Sequence, residues 1–590
     1  MRLNHKRIDL SQKKENLFNQ LIILSIWILV GTILRFANLS NKPPWIDEFA
    51  TIVFSLGNSF QVVPLNEVIS VDTLLQPLQI NPSFGTKEVL QKLLTEDIHP
   101  PVYFVLSHWW ISLWSGQNLI FQDLIFQDLI FTARSISAIF GIAAIPSIYW
   151  LALLSFRSAL VAQLAAAFMA VSPYAIFLSQ EARHYTLGSL WVIASLCCLV
   201  VAVRHIHQQK SLPITIAILW FFINALGIST HYFFSLILCG EAIVLMKYWL
   251  KPETRITNLK LWWTIYAAAI GTICTGLFWL NLFLSNRYTG QLTQWIKNDD
   301  SNFLTLLNPI FQSLAGWITI ISLLPVESSN LGTVIASGLV MMIFFLWAIP
   351  ILIRNYKIQY SKPENRLMIQ TFAGVLLTVI GLFFTITYFF GIDITRGARY
   401  NFVYFPVVIL LLGVVLASCW NQNKSINPAF PPFKINGKIN GKTAVTLMWV
   451  MGLLSGITVV SNLGYQKYYQ PDLLIPIIEN ISEDKPVLIA TTHRSLAQTG
   501  EMMGIAKQLQ ESNSQVNAQF VLIPENQKSD TAVKKLIEEV QTLPRPFDLW
   551  LTNFRTVEKD SLTALPSCIL NNQTLPGVDG YEYKIYHCSN

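Results

Sequence analysis

Long apolar runs separated by short polar stretches dominate the chain from residue 17 to residue 463. Each run is close to the ~20 residues that a helix needs to cross a ~30 Å hydrocarbon core. The runs lie near 17–39, 131–155, 159–179, 186–204, 212–230, 232–249, 262–285, 332–354, 368–391, 399–419 and 443–463. The pattern predicts a polytopic α-helical membrane protein with about eleven spans.

Two further apolar stretches are harder to assign. Residues 102–114 are too short for an ordinary span and rich in Trp and Tyr, which predicts a helix lying at the outer interface. Residues 303–324 are similarly ambiguous. If both stretches cross the membrane, the count rises to about thirteen and the two chain ends keep their sides.

Composition and charge exclude a soluble globular protein. Hydrophobic residues make up 53% of the chain and charged residues 13%, and the mean hydropathy is +0.45. The net charge of +7 comes from Lys and Arg at the ends of apolar runs, as the positive-inside rule describes, so we expect no nucleic-acid partner. The rule predicts a cytoplasmic N-terminus, with the first run as an uncleaved anchor, and cytoplasmic loops at 204–210, 247–260, 354–366 and 421–442.

The last part of the chain has a different character. Strand-like runs (PVLIATT, QFVLIP, FDLWLTNF, YEYKIYH) alternate with the helical spacing of TAVKKLIEEVQTL. We therefore predict two domains: a membrane domain, 1–463, whose first outer loop with interfacial helices spans 40–130, and a small extracytoplasmic α/β domain, 464–590. Cys568 and Cys588 are the only cysteines placed for a disulfide, and only if this tail lies outside.

Two motifs in the first outer loop carry chemically useful side chains. In NKPPWIDEFA, Asp47 and Glu48 follow two prolines and a tryptophan that restrict the loop and hold it at headgroup level. In DIHPPVYF, His99 stands just before a helix start and could orient a carboxylate, contact a substrate or bind a metal. The alternatives are an acidic pair that is merely solvated and an ordinary helix start.

Several arginines fall on the outer side, where positive charge is disfavoured. SQEARHYTL contains Arg183 and Tyr185, and DITRGARYNF contains Arg396, Arg399 and Tyr400. Arg287 repeats the pattern more weakly. A guanidinium can grip a phosphate bidentately, so the set predicts a site for a lipid-linked phosphate. The alternatives are local salt bridges and snorkelling to ordinary lipids. His231 is interpreted as a turn or interface histidine.

These charges suggest a chemistry. If the donor is a sugar on a polyprenyl phosphate, the arginines would stabilise the departing phosphate and a carboxylate would take the proton of the attacking acceptor hydroxyl. We predict Asp47 as the base, with Glu48 orienting the substrate or fixing an extended loop. The rival interpretations are a transporter or flippase for a lipid-linked saccharide, which would place ionisable groups near the bilayer midplane, and a non-catalytic scaffold.

The order PPWIDE, HPPVYF, SQEARHYTL and RGARY resembles the C-type glycosyltransferase superfamily, in particular the bacterial branch with protein O-mannosyltransferases and aminoarabinose transferases. The resemblance implies a multi-pass protein of the bacterial plasma membrane and an inverting transfer from a polyprenyl-phosphate sugar. Asp47 matches the family's catalytic acidic residue, Glu48 its partner, His99 its His-Pro-Pro step, and Arg183 with Tyr185 its Arg-x-Tyr element; Arg396 and Arg399 match its late basic positions. Need for a divalent metal, the sugar and the acceptor (protein, lipid or glycan) do not follow from the resemblance.

Overall fold

The computed structural model describes residues 2–114, 128–250, 259–285, 294–297, 303–422, 440–483, 485–512, 514–525, 531–555, 565 and 567–589. Within these ranges the helices are α1 Arg2–Phe36, α2 Ile46–Ser55, α3 Val71–Leu74, α4 Thr86–Glu96, α5 Val102–Trp114, α6 Leu129–Phe156, α7 Ala159–Val171, α8 Pro173–Ser179, α9 Tyr185–His207, α10 Ile214–Ile228, α11 Phe234–Trp249, α12 Leu259–Ser285, α13 Phe303–Ile321, α14 Leu331–Ser361, α15 Pro363–Phe390, α16 Phe405–Trp420, α17 Gly441–Val460, α18 Pro471–Ser482, α19 Leu496–Glu511 and α20 Thr531–Thr542. The strands are β1 Val68–Ser70, β2 Val487–His493, β3 Ala518–Pro524, β4 Phe547–Thr552, β5 Cys568–Leu570 and β6 Tyr583–Cys588. The predicted fold class, a helical membrane protein with a small α/β part near the C-terminus, is confirmed.

The chain forms two compact units, each discontinuous in sequence. The helical unit contains Met1–Leu39, His99–Tyr103 and Arg134–Gln466; the mixed unit contains Ser40–Ile98, Phe104–Ala133 and Lys467–Asn590. The first outer loop is therefore grouped with the tail. The domain boundary after residue 463, which was inferred from the sequence, stays a prediction.

The helical unit owes its form to apolar helices that are long enough for a bilayer. By length and composition, seven described helices qualify as spans: Leu17–Phe36, Leu129–Phe156, Tyr185–His207, Lys260–Ser285, Leu331–Ser361, Pro363–Phe390 and Gly441–Val460. Shorter apolar helices are Ile214–Ile228, Thr305–Ile321 and Phe405–Trp420. Large apolar side chains along α12 and α14, such as Ile273 and Ile343, stay exposed on the protein surface, as lipid-facing positions would be. The predicted count of about eleven spans stays a prediction.

A break between α7 and α8 shapes the region that carries the SQEARHYTL motif. The two helices meet at an angle of 57°. Pro173 begins α8, where its missing N–H costs nothing, and the Ser172 side chain caps the helix by accepting from Ala175 N. The Ser172 hydroxyl also donates to the Ile320 carbonyl oxygen at 2.7 Å. The break is thus built into local sequence and held by α13.

The mixed unit is organised around a six-stranded sheet in the order β1-β3-β2-β4-β6-β5. β2 runs parallel to both β3 and β4, and the outer strands are antiparallel. The edge strand β1 comes from the first outer loop and pairs Val68 with Val521. The loop and the tail therefore share backbone hydrogen bonds across one sheet.

Side chains alternate between the two faces of this sheet, as strand geometry requires. Ile489, Phe520 and Trp550 face a core that also receives α2, α4, α18 and α19. Leu488, Val521 and neighbours face a second core that is covered by α20. Because both faces are covered, the central strand β2 is buried almost throughout, which explains its continuous apolar run.

Cys568 and Cys588 form a disulfide between β5 and β6, the pair that the sequence had singled out. Replacing both cysteines by serine is expected to lower the free energy of unfolding by about 3 kcal/mol, because a closed loop of about twenty residues restricts the unfolded chain by that amount. Chemical denaturation of the purified protein, followed by hydrogen–deuterium exchange in the strands of the tail, measures this. A double variant with unchanged unfolding would contradict the expectation.

Candidate functional site

The turn between α8 and α9 carries Arg183 and is completely buried. Gln180 Nε2 donates to the Ala37 carbonyl oxygen at 2.9 Å, which ties the turn to the end of α1. The Arg183 carbonyl oxygen accepts from Ser137 Oγ at 2.9 Å, and Ser137 is itself hydrogen-bonded to the Tyr103 hydroxyl. The turn is therefore anchored at both ends, by the Gln180 side chain and by the Arg183 carbonyl oxygen, and the Arg183 guanidinium is placed by the fold.

The Arg183 guanidinium contacts two other predicted residues. Its Nη2 lies 3.2 Å from His99 Nε2, and its carbon lies 5.8 Å from the centre of the Tyr185 ring. A guanidinium only donates, so His99 Nε2 is the acceptor and a neutral His99 ring carries its proton on Nδ1. Motifs that are far apart in sequence, DIHPPVYF and SQEARHYTL, thus meet at one point.

The segment with the late arginines folds as two short 3-10 turns, Ile394–Arg396 and Ala398–Val403. Arg396 pairs with Asp393, whose Oδ2 is 3.4 Å from Arg396 Nε, and donates to the Trp295 carbonyl oxygen at 2.7 Å. The Arg399 guanidinium lies 5.2 Å from the Trp295 ring centre and 5.5 Å from that of Tyr400, within cation–π range. The Arg399 carbonyl oxygen accepts from the Tyr174 hydroxyl at 3.0 Å.

Two histidines connect these groups into what we call the imidazole–guanidinium cluster: His99, Arg183, His184, Tyr185, His231, Arg399 and Tyr400. The ring centres of His184 and His231 are 4.5 Å apart, and those of His184 and His99 are 5.5 Å apart. His231 and Tyr185 lie 6.1 and 6.5 Å from Tyr400. Five predicted residues are thus gathered in the helical unit, and Arg396 lies beside them in sequence. Arg287 falls outside the described residues.

Sequence reasoning undervalued the two linking histidines. His231 does lie in a turn, where its Nδ1 accepts from Phe233 N at 2.9 Å, but it also faces the cluster. His184 follows Arg183 directly and is fully buried, and neither ring nitrogen has a hydrogen-bond partner among the described residues. Its position next to Arg183 was the one feature of the sequence that could have identified His184 as part of the site. Trp295 carried no signal in the sequence.

Burial controls the protonation of both histidines. Desolvation lowers the pKa of His184 well below its ordinary value, and the charges of His231, Arg183 and His99 act in the same direction. Desolvation likewise lowers the pKa of His231, followed by the effects of His99, Arg183 and Arg399. Both rings are neutral near pH 7, so His184 and His231 add no charge to that of the two guanidiniums.

The acidic pair belongs to the mixed unit. Asp47 and Glu48 form the first turn of α2, where carboxylates are favoured by the helix dipole, and the expectation of an extended loop was wrong. Successive residues of a helix point about 100° apart, so the two acids diverge. Glu48 turns inward and is fully buried, while Asp47 stays partly exposed.

Glu48 is close to a cation that the sequence did not reveal. Lys467 Nζ lies 4.0 Å from Glu48 Oε2 and 5.3 Å from the ring centre of Trp45, the residue that precedes α2. Lys467 is itself buried. Asp47 is the acid of the pair that keeps solvent access.

A metal site needs several donor side chains close together, and the described residues can be considered as such donors. Among them, no group of three or more His, Cys, Asp or Glu side chains is close enough together to hold a metal ion. The donors that the sequence offered for a divalent metal therefore do not form a ligand set within the described ranges, and no step below is assigned to a metal.

No protein-family model matches the chain, and no curated protein matches it. Solved structures do. ArnT from Cupriavidus metallidurans bound to undecaprenyl phosphate is 10% identical, with a TM-score of 0.48, over 96% of this chain and 97% of that one. The Archaeoglobus fulgidus oligosaccharyltransferase AglB in complex with an inhibitory peptide and a dolichol-phosphate is 11% identical, with a TM-score of 0.45, over 91% and 70%.

Both solved proteins are glycosyltransferases with the C-type fold, the superfamily that the motifs resemble. At these identities and TM-scores the likeness carries no weight for the site. The function proposed below rests on the chain's own residues.

Because both linking histidines are held neutral, acid should destabilise the helical unit. The unfolded chain binds protons at histidine below about pH 6.5, whereas buried His184 does not, so stability is complete above that pH and is lost as pH falls. We expect His184→Asn to flatten the fall in melting temperature between about pH 6.5 and 5. Thermal unfolding in detergent across this range measures it.

His207, which is exposed at the end of α9, provides the control. His207→Asn is expected to reproduce the wild-type pH profile. An acid slope in His184→Asn equal to that of wild type would show that His184 protonation does not limit stability.

Proposed function

We propose that this chain is an integral-membrane inverting glycosyltransferase. It moves a hexosyl or pentosyl group from a polyprenyl-phosphate donor to an acceptor hydroxyl on the extracytoplasmic side of the cell membrane. The observation that carries the proposal is the imidazole–guanidinium cluster, in which Arg183 and Arg399 lie among aromatic and imidazole rings inside a unit of apolar helices. Arginine in such surroundings suits a phosphate, and aromatic rings suit the sugar next to it.

The charge of the cluster suits a phosphate leaving group. As the bond from the anomeric carbon to the donor phosphate breaks, negative charge grows on the phosphate oxygens, and guanidiniums fixed beforehand stabilise it. Arg183 is held by the anchored turn and by His99, and Arg399 by Trp295 and Tyr400. The products are the glycosylated acceptor and the polyprenyl phosphate.

Asp47 is assigned the proton transfer. As the acceptor hydroxyl attacks the anomeric carbon from the face opposite the phosphate, its proton passes to Asp47 and configuration inverts. Partial exposure leaves Asp47 accessible to an acceptor, while Glu48 is buried next to Lys467. Glu48 is therefore given a structural role in shaping the start of α2. Substrate contacts are assigned to His99, Tyr185, Arg396 and Tyr400 beside the arginines.

The orientation in the membrane is also part of the proposal. A disulfide forms and persists in oxidising surroundings, so Cys568–Cys588 supports a tail outside the cytoplasm. The basic loops support an N-terminus inside. Protein, lipid and glycan hydroxyls remain the candidate acceptors, and membrane lipids surround the helical unit.

A transporter of lipid-linked saccharides is the second candidate, and one residue favours it. Glu241 is buried within the apolar helix α11, and an ionisable group inside a membrane helix commonly marks a transport path. Its Oε2, however, accepts from Ser195 Oγ at 2.9 Å, and Ser195 also receives a hydrogen bond from Trp220. This network joins α9, α10 and α11 and serves helix packing, so we retain the transferase.

Transfer from a radiolabelled polyprenyl-phosphate sugar to a membrane extract tests the proposal. Asp47→Asn is expected to lower kcat by about 10²- to 10⁴-fold with donor binding retained, because only the base is lost. Arg183→Gln is expected to lower kcat by about 10²- to 10³-fold because the departing phosphate loses a donor. Full activity in Asp47→Asn would remove the general-base assignment.

Matched control variants separate the loss of a site residue from the loss of a charge elsewhere in the protein. Asp72 also lies in the first turn of a short helix of the mixed unit but is exposed, so Asp72→Asn should leave transfer unchanged. Arg366 lies 5.4 Å from the Tyr360 ring centre, a contact like that of Arg183, yet it is exposed at the start of α15. Arg366→Gln should be as active as wild type. Movement of the labelled lipid between leaflets of reconstituted vesicles without transfer would favour the transporter.

A further inference from the structure

Two side chains at the start of α2, those of Trp45 and Glu48, contact one buried lysine. Lys467 Nζ lies 4.0 Å from Glu48 Oε2 and 5.3 Å from the Trp45 ring centre, and both Lys467 and Glu48 are buried. Trp45 is the residue before α2, and its carbonyl oxygen accepts from the backbone N–H groups of Glu48 and Phe49. Lys467 thus contacts Trp45, two residues before Asp47, and Glu48, the residue after it.

A buried ion pair of this kind is sensitive to the loss of one partner. Removing the lysine leaves a carboxylate buried without that compensating charge, which is costly enough to force local rearrangement. The residues that would move are those that begin α2. Lys467 therefore has more influence on the geometry of this turn than its distance from Asp47 along the chain suggests.

The α2 helix also packs against the tail. At Gly500 in α19, an added Cβ would lie 3.3 Å from Ile46 Cγ2 and 3.5 Å from Ile46 Cα, so only a residue without a side chain permits this approach without displacement. One turn later, a Cβ at Gly504 would lie 3.9 Å from Phe49 Cε2. The helix that carries Asp47 is packed against α19, and its first turn is held by Lys467.

We propose that Lys467 is a positioning residue for the general base: by holding Trp45 and Glu48, it sets the direction in which Asp47 points. This inference rests on the proposed function, since Asp47 matters as a base only if the chain transfers sugars. It gives the tail a part in catalysis, because Lys467 is where the mixed unit resumes after the last long apolar helix. A misplacement of about 1 Å at a reacting group can cost about 10²-fold in rate.

The test compares Lys467→Met, which keeps the length of the side chain and removes its charge, with Lys467→Arg. Lys467→Met is expected to lower kcat between about 10- and 100-fold, with the donor KM within about twofold of wild type, because binding residues are untouched. Lys467→Arg is expected to recover most of the lost activity. A lysine with a general stabilising role would change KM, expression and melting temperature together. It would not lower kcat while the donor KM stays constant.

Hydrogen–deuterium exchange supplies a measurement that does not depend on transfer. Lys467→Met is expected to raise amide exchange in residues 44–58, with exchange in α20 unchanged. Wild-type exchange in 44–58 would overturn the proposal whatever the activity. If wild type transfers no sugar, the proposed function fails, and exchange alone still decides whether Lys467 holds this segment.

A charge-balanced double variant covers the case in which Lys467→Met does not fold. Glu48→Gln with Lys467→Met removes both members of this buried ion pair, so the double variant should fold and retain a reduced kcat. Wild-type kcat in this double variant would overturn the proposal. Lys485→Met, at an exposed position just before β2, is the matched control and should match wild type in both measurements.

Discussion

Charged side chains that leave water must be compensated inside the protein, and this constraint shapes both units. Arg35 in α1 is fully buried and donates to the carbonyl oxygens of Gly31, Met169 and Ala170. A single guanidinium thereby joins α1 to α7. In the mixed unit the same requirement brings Lys467 to Glu48. Buried charged groups thus fix the relative positions of segments that are distant in sequence, because the hydrophobic effect alone is not directional.

The imidazole–guanidinium cluster shows how irregular backbone creates a site among regular helices. The bend at Ser172–Pro173 ends α7 early, and a buried turn follows α8 before α9 begins. Two 3-10 turns separated by Gly397 lead into α16. Helices alone would present side chains only along their faces. Arg183 and Arg399 lie on these turns, and the rings of Tyr185 and Tyr400, each next to one of the two guanidiniums, are 6.5 Å apart.

Much of the architecture could be predicted from local patterns in the amino-acid sequence. Apolar runs predicted the helical class because spanning length and hydrophobicity are properties of a short segment. Alternating strand-like runs predicted the small α/β part, and the isolation of Cys568 and Cys588 from apolar runs pointed to their disulfide. The motifs containing His99, Arg183 and Arg399 were recognisable because unusual charges in apolar surroundings stand out. The pairing of β1 with β3 was not predictable, since a three-residue edge strand has no pattern of its own.

The amino-acid sequence by itself determined which segments are long apolar helices, which residues carry charge into apolar surroundings, and which side chains are candidates for chemistry, because each of these depends on residues close together in the chain. Only the tertiary structure decided that Asp47 and Glu48 begin a helix and diverge, that His184 and His231 link the arginines, and that Lys467 from the tail contacts Glu48 in the first loop. Those contacts join residues separated by long stretches of chain. Their formation depends on how whole helices and strands pack, which no local pattern records.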